Sequence, residues 1–160
     1  MSFLPLAQTP IIVISLKILD PKEVHTHPSF FTEDCQKMID IYKDFYPQIG
    51  FVPPWVGYFI LDDETVVGFC GFVGAPQDDQ VELSYYTFEK YEGQGIATKA
   101  CKLMVDMAVQ TDDNLVITAK TAPFENASTK ILTKNGFVYK EVVQDHEIGD
   151  AWLWVYTPSK

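Results

Sequence analysis

Basic side chains are scarce in this sequence: 12 Lys and Arg stand against 22 Asp and Glu, a formal net charge of −10. That balance disfavours a nucleic-acid surface, which is built from clustered cations. Cysteine is sparse too. Cys35, Cys70 and Cys101 are odd in number, far apart and set among apolar residues, which fits buried reduced thiols better than bridges or metal ligands. A cytoplasmic location follows as the default expectation. No apolar run reaches the ~20 residues that a membrane helix needs. The apolar N-terminus lacks a basic leader and is interrupted by Pro5 and Pro10, so it does not read as a signal peptide. Internal repeats, low-complexity tracts and linkers are absent as well.

What is present suits one folded domain over residues 1–160, with 47% hydrophobic and 21% charged residues. Aromatics reach 14%, which favours strands and large buried side chains. A negative field attracts amine-bearing molecules and repels anions. Any phosphate site must therefore work through local backbone donors.

The periodicities predict a mixed α+β order. Residues 11–19 read as a strand, and residues 30–45 as a helix with Thr32 as N-cap, apolar Met38, Ile39, Ile41, Tyr42 and Phe45, and Pro47 as its end. Apolar runs at 55–61, 65–73 and 80–88 alternate with turn signals and predict an antiparallel meander. Residues 94–110 have helical periodicity, with Ile96, Ala100, Leu103, Met104, Met107 and Ala108 on one face. A strand at 115–120, a short helix at 127–135 ended by Gly136, and closing strands at 137–143 and 152–156 complete the chain.

The informative segment joins the third meander strand to the long helix. Gly93 and Gly95 stand where the loop becomes the helix, and glycine allows positive φ and close backbone approach. Free N–H groups and the helix dipole make such a start a phosphate site. Thr98 can add a hydroxyl. A Gly-x-Gly pair alone is equally a tight turn. A dinucleotide fold fits poorly, because a third glycine is missing and the preceding strands form hairpins.

Three segments together carry a resemblance. Tyr91-Glu92-Gly93-Gln94-Gly95-Ile96-Ala97-Thr98-Lys99-Ala100 resembles the acetyl-CoA pyrophosphate loop of the GNAT N-acetyltransferase superfamily. Val81-Glu82-Leu83-Ser84-Tyr85-Tyr86 resembles its preceding strand, and the segment from Glu125 to Phe137 its second cofactor motif. The branch that they resemble most acts on ribosomal-protein N-termini. The similarity spans residues 55–156, with the motifs inside 80–137. It implies a mostly antiparallel sheet splayed at its centre, with flanking helices. It also implies acetyl-CoA as acyl donor, an amine-bearing acceptor, no nucleic acid or membrane partner, and a homodimer by analogy.

Residue by residue, the resemblance assigns cofactor contacts to Tyr85, Thr87, Phe88, Gly93, Gln94, Gly95, Ile96, Ala97, Thr98 and Asn126. Two departures stand out. Glu92 replaces the commoner Arg or Gln, and Glu125 occupies the usual Asn position with Asn126 shifted by one. Acetyl transfer to an amine needs a proton acceptor, an oxyanion donor and help for the leaving thiolate. Glu82 is the first candidate base and Glu147 the second; both are also readable as plain surface polarity. Leu132 stands where many relatives carry an acidic Tyr, so Ser128 is the candidate acid, or else a helix N-cap. Tyr139 is a remote alternative. His25 and His27 suggest a solvated loop rather than a metal site, because the reaction needs no metal. Trp55, Tyr58, Trp152 and Trp154 divide between acceptor pocket and core. A non-catalytic acyl-CoA-binding module and a purely structural dimer domain remain as alternatives.

Overall fold

The structure is a computed structural model that describes residues 12–158. The apolar N-terminal stretch, with Pro5, Pro10 and Ile11, lies outside the described residues. Among those described, seven strands form one sheet in the order β1-β2-β3-β4-β5-β7-β6. They are β1 (Ile14–Ile18), β2 (Gly57–Asp62), β3 (Thr65–Phe72), β4 (Gln80–Thr87), β5 (Val116–Thr121), β6 (Phe137–Asp145) and β7 (Gly149–Tyr156). Three α-helices accompany them: α1 (Glu33–Ile49), α2 (Ile96–Thr111) and α3 (Ala127–Lys134). Every neighbouring pair is antiparallel except β4 and β5. No helix among the described residues is long and apolar enough to cross a membrane.

α1 begins as expected, with Thr32 accepting the N–H of Cys35. It does not stop at Pro47. Pro47 lies within the final turn, and the helix runs to Ile49, where Gly50 at φ 86° closes it by donating to the Tyr46 carbonyl. A proline so near the end deletes one helical hydrogen bond while the turn continues. α1 buries Cys35, Ile39, Tyr42 and Tyr46 and leaves Ile41 exposed. It docks where Gly57 and Gly71 face each other across β2 and β3, because any Cβ at Gly57 would strike the Tyr42 ring. The Tyr46 hydroxyl ties the layers together, donating to Leu19 and accepting from the Gly57 N–H.

α2 covers the opposite face with Ile96, Ala100, Cys101, Met104, Val105 and Ala108. The stripe is rotated from the expected one: Leu103 is exposed, and Cys101 and Val105 take its place. Tyr58 reaches from β2 to the sulfur of Met107, and Cys70 sits beneath the same helix near Cys101. The closing hairpin is longer than its apolar runs, reaching Asp145 on one side and starting at Gly149 on the other. Gln144 and Asp145 extend one strand and Gly149, Asp150 and Ala151 the other, since backbone pairing does not require a continuous apolar run. A register shift between Tyr139 and Glu141 turns the outer half of β6 over.

Candidate functional site

The two halves of the sheet separate at its centre. β4 and β5 pair only at Gln80, Val81 and Glu82 against Val116, Ile117 and Thr118. Beyond that point β4 continues against β3 as far as Thr87, and β5 continues against β7 as far as Thr121. The edge of β4 that faces β5 is thus left open past Glu82. Which groups it presents follows from strand alternation. The Glu82 carbonyl accepts from Val73 and the Phe88 N–H donates to Val67, so even positions turn their main chain to β3. Thr118 donates to the Val81 carbonyl on the other side. Leu83, Tyr85 and Thr87 therefore aim their N–H and C=O groups into the gap. The Thr87 hydroxyl is buried there without a hydrogen-bond partner among the described residues. Phe88, expected as a cofactor contact, instead turns its N–H away, packs its ring against Phe69 in the core and does not line the cleft.

Below the open edge lies the glycine loop. A single 3-10 turn (Glu89–Tyr91) follows β4, and then Gly93 and Gly95 both adopt positive φ, 78° and 77°. Gly95 is the left-handed N-cap of α2, with no side-chain cap, which moves the helix start from the expected Gln94 to Ile96. The first backbone bond into the helix runs from the Lys99 N–H to the Gly95 carbonyl. The N–H groups from Gly93 to Thr98 have no partner among the described residues. A Cβ added at either glycine meets nothing within 4 Å, so the loop fronts open space. That space is a cleft of about 380 Å³, lined by Tyr85, Thr87, Gly93, Gly95, Ala97, Thr98 and Ser128 among others. Its one charged lining residue is Glu92, and the sequence contains no arginine. An anion in this cleft would meet oriented amides and the positive end of the α2 dipole rather than basic side chains. Gln94 is exposed and does not line the cleft.

α3 closes the cleft from above. Its N-cap is Asn126, in a reciprocal capping box with Thr129. The Asn126 side-chain oxygen accepts the Thr129 N–H at 3.0 Å, so it is committed to the helix start. Ser128 is therefore not the cap. It is the second residue of α3, lines the cleft, and its carbonyl accepts the Tyr85 hydroxyl at 3.1 Å. Burial pushes the Tyr85 phenol well above the usual tyrosine range; Cys101 adds to the rise and the Ser128 side chain opposes it. Leu132 is fully buried, so the position at which the resemblance places a tyrosine is a core contact here.

On the α1 side of the sheet, Glu82 pairs with Lys120 of β5 at 3.2 Å. Lys120 also approaches Asp145, at the end of β6, at 3.8 Å. Asp145 was not singled out by the sequence; strand alternation through Glu141 and Val143 is the signal that places it on this face. The Glu147 carboxylate makes no hydrogen bond or ion pair among the described residues. Its N–H donates to Asp145 at 2.7 Å, and that bond leads the causes that hold the Asp145 carboxyl below its ordinary range.

The remaining candidates are largely structural. His25 is not solvated as expected; its ring stacks on Phe30 at 3.9 Å, and burial lowers its pKa. His27 accepts the Ser29 N–H as the cap of a 3-10 turn (Pro28–Phe31). Trp55 packs on Phe72, Trp154 donates to Thr121, and Tyr58 donates to the Pro54 carbonyl. Trp152 is half-buried beside Tyr139.

A family model described as an acetyltransferase (GNAT) domain matches residues 16–138. An uncharacterized N-acetyltransferase of Bacillus subtilis, YjdG, is 25% identical over 96 residues, and the match covers 59% of this chain. The chain spans about half of that relative's length, 54%. Among solved structures, RimL, a ribosomal L7/L12 alpha-N-protein acetyltransferase in complex with coenzyme A, superposes with a TM-score of 0.64 at 15% identity, covering 89% of this chain and 92% of that one. A chimera of the spermidine N-acetyltransferase SpeG from Vibrio cholerae gives 0.65 at 14% identity, covering 89% and 94%. A ribosomal-protein-S5-alanine acetyltransferase from Vibrio fischeri gives 0.57 at 18% identity, covering 86% and 78%. At these identities the structures speak for the fold.

Proposed function

This chain belongs to the GNAT acetyltransferase family, and we propose that it transfers the acetyl group of acetyl-CoA directly to a primary amine. The observation that carries the reading is a single cleft with two kinds of unsatisfied donor. Free N–H groups of Gly93 and of Gly95 to Thr98 lie on its floor, and the orphaned Thr87 hydroxyl stands beside the open edge of β4. The first set fits a pyrophosphate and the second an amide-bearing arm. Buried polar groups rarely go unpaired, so the Thr87 hydroxyl argues for a ligand there.

When bound, acetyl-CoA supplies an acyl group activated as a thioester. The main-chain groups of Tyr85 and Thr87 would hold the pantetheine amides along the gap and so set how deep the thioester lies. Glu82 accepts the proton that the acceptor ammonium must lose, through a water, and Asp145 holds Lys120 beside it. A new N–C bond forms as the C–S bond breaks, and Ser128 offers its hydroxyl to the departing sulfur. Glu147, exposed on the hairpin turn, is the second choice as base.

Isothermal titration with acetyl-CoA tests the first step, and absence of binding at millimolar ligand rejects the reading. Thiol release across a panel of amines tests the second. Glu82→Gln should lower kcat by roughly 10²–10⁴, the usual worth of general-base help. Glu147→Gln should change it much less, and the reverse order would exchange their roles. A binding-only module is favoured by one observation, the buried Leu132 at the acid position. Binding without release for any amine would select that alternative.

A further inference from the structure

A second groove, of about 460 Å³, lies between α1 and β4. It shares Tyr85 and Tyr86 with the cofactor cleft, so the two spaces adjoin across the free edge of β4. Its size falls in the ~300–1,000 Å³ range that holds small organic ligands. Met38 and Ile41 of α1 and Phe69 and Tyr86 of the sheet form apolar walls. Ile41 is 46% and Tyr86 51% exposed, so this apolar surface is accessible. The charged lining residues are Asp34 and Lys37, one of each sign.

Negative charge open to a ligand is sparse around the groove: its lining holds one carboxylate, Asp34, beside one ammonium, Lys37. Past Ser84 on the same face of β4 comes Glu82, where two carboxylates, Glu82 and Asp145, share the one ammonium of Lys120. That cluster leaves one negative charge unmatched. A polyamine would bring several ammonium groups; beyond the first, the groove offers only the Asp34 carboxylate, with the like-charged Lys37 close by, and any further ammonium would lie against Met38, Ile41 and Phe69 without a partner, which is costly. An alkyl or aryl body would instead cover those side chains and lose contact with water at a gain.

We propose that the acceptor of this site is a primary monoamine on an apolar body, an alkylamine or arylalkylamine, and not a polyamine. The inference rests on the acetyl-transfer reading above. It sets the ammonium toward Ser84 and Glu82 and the apolar body between α1 and Tyr86.

The test is thiol release at saturating acetyl-CoA with hexylamine, phenethylamine and spermidine as acceptors. kcat/KM for the two apolar amines should exceed that for spermidine by about tenfold or more, the discrimination that a methylene or two achieves in an apolar pocket. Ile41→Glu, at an exposed position that the fold tolerates, should raise KM for hexylamine about tenfold and reverse the order toward spermidine. Ile41→Leu should restore the original preference. Spermidine as the best acceptor of the unaltered chain overturns the inference, and so does an unchanged hexylamine KM in Ile41→Glu. Both results leave the transfer reading intact. Release with no amine, despite acetyl-CoA binding by titration, overturns the transfer reading and this inference with it.

Discussion

Replacing Gly95 by alanine separates what the glycine does for the fold from what it does for a ligand. Gly95 has φ 77° and Gly149, on the closing hairpin turn, has φ 78°; at both, an added Cβ meets nothing within 4 Å. The backbone penalty for an L side chain in the left-handed region is therefore the same at the two sites, about 1–2 kcal/mol. With no clash to add, each variant should lose about that much stability. For a chain of this length that is a fall in Tm of roughly 2–8 °C. The affinity for acetyl-CoA should diverge. The new methyl at Gly95 projects into the cleft that the free N–H groups face, and it holds a pyrophosphate away from them. Losing two hydrogen bonds to a charged group costs about 3–6 kcal/mol. Kd should then rise by roughly 10²–10⁴, since each 1.4 kcal/mol is tenfold.

The assay is a pair of measurements on each variant: thermal unfolding without ligand and isothermal titration with acetyl-CoA. Gly95→Ala should match Gly149→Ala in the first and fall far behind it in the second. Equal affinity in the two variants, or a Kd for Gly95→Ala within about threefold of the unaltered chain, refutes the placement of the phosphate on this loop. The larger Gly95→Trp should abolish binding outright, because the ring fills the cleft.

Two further outcomes follow from burial and from the hairpin turn. Burial pushes the Cys35 thiol up to about 11 and the Cys101 thiol up to about 12, and lifts Cys70 higher still. At pH 8 about one Cys35 in a thousand is thiolate, so a disulfide reagent should titrate none of the three until denaturant is added; prompt modification of any of them contradicts the packing. Asp145 accepts the N–H groups of Glu147 and Ile148, and its carboxyl is held below its ordinary range. The folded chain therefore binds fewer protons there than the unfolded one. That contribution is present above about pH 4 and fades as the pH falls below it. Asp145→Ala should lower Tm by a few degrees at pH 7 and by less at pH 3; an equal loss at both values excludes the carboxylate as the cause.

Elements whose signal is local were legible. The meander announces itself by apolar runs between Asp62-Asp63-Glu64 and the turn before Gln80, and the glycine loop by two glycines ahead of an amphipathic helix. What depends on three-dimensional neighbours was not. Pro47 reads as a stop, yet in the last turn it removes little. Ser128 reads as a cap, yet Asn126 holds that role because Thr129 reciprocates. The pairing of Glu82 with Lys120 crosses from β4 to β5 over more than a helix of intervening chain, and no spacing rule reaches that far. Asp145 joins them only because the shift beside Lys140 decides which side of β6 it occupies. The orphaned Thr87 hydroxyl is likewise a fact of packing; its sequence context is an ordinary strand end.

The net charge illustrates the same division between global and local. A charge of −10 draws cations toward the molecule as a whole and suggests a multiply charged acceptor. Yet at physiological ionic strength that field is screened within about 8 Å, so it can speed arrival without determining what is retained. On the acceptor reading proposed above, retention is a local matter: the groove itself carries one charge of each sign, Asp34 and Lys37, and the Glu82, Lys120 and Asp145 cluster farther along β4 sets two carboxylates against one ammonium. The same locality explains how so acidic a chain can receive an anionic cofactor. From Gly93 to Thr98 it presents uncharged amides that a phosphate would meet at short range, where such donors outweigh a distant and screened repulsion.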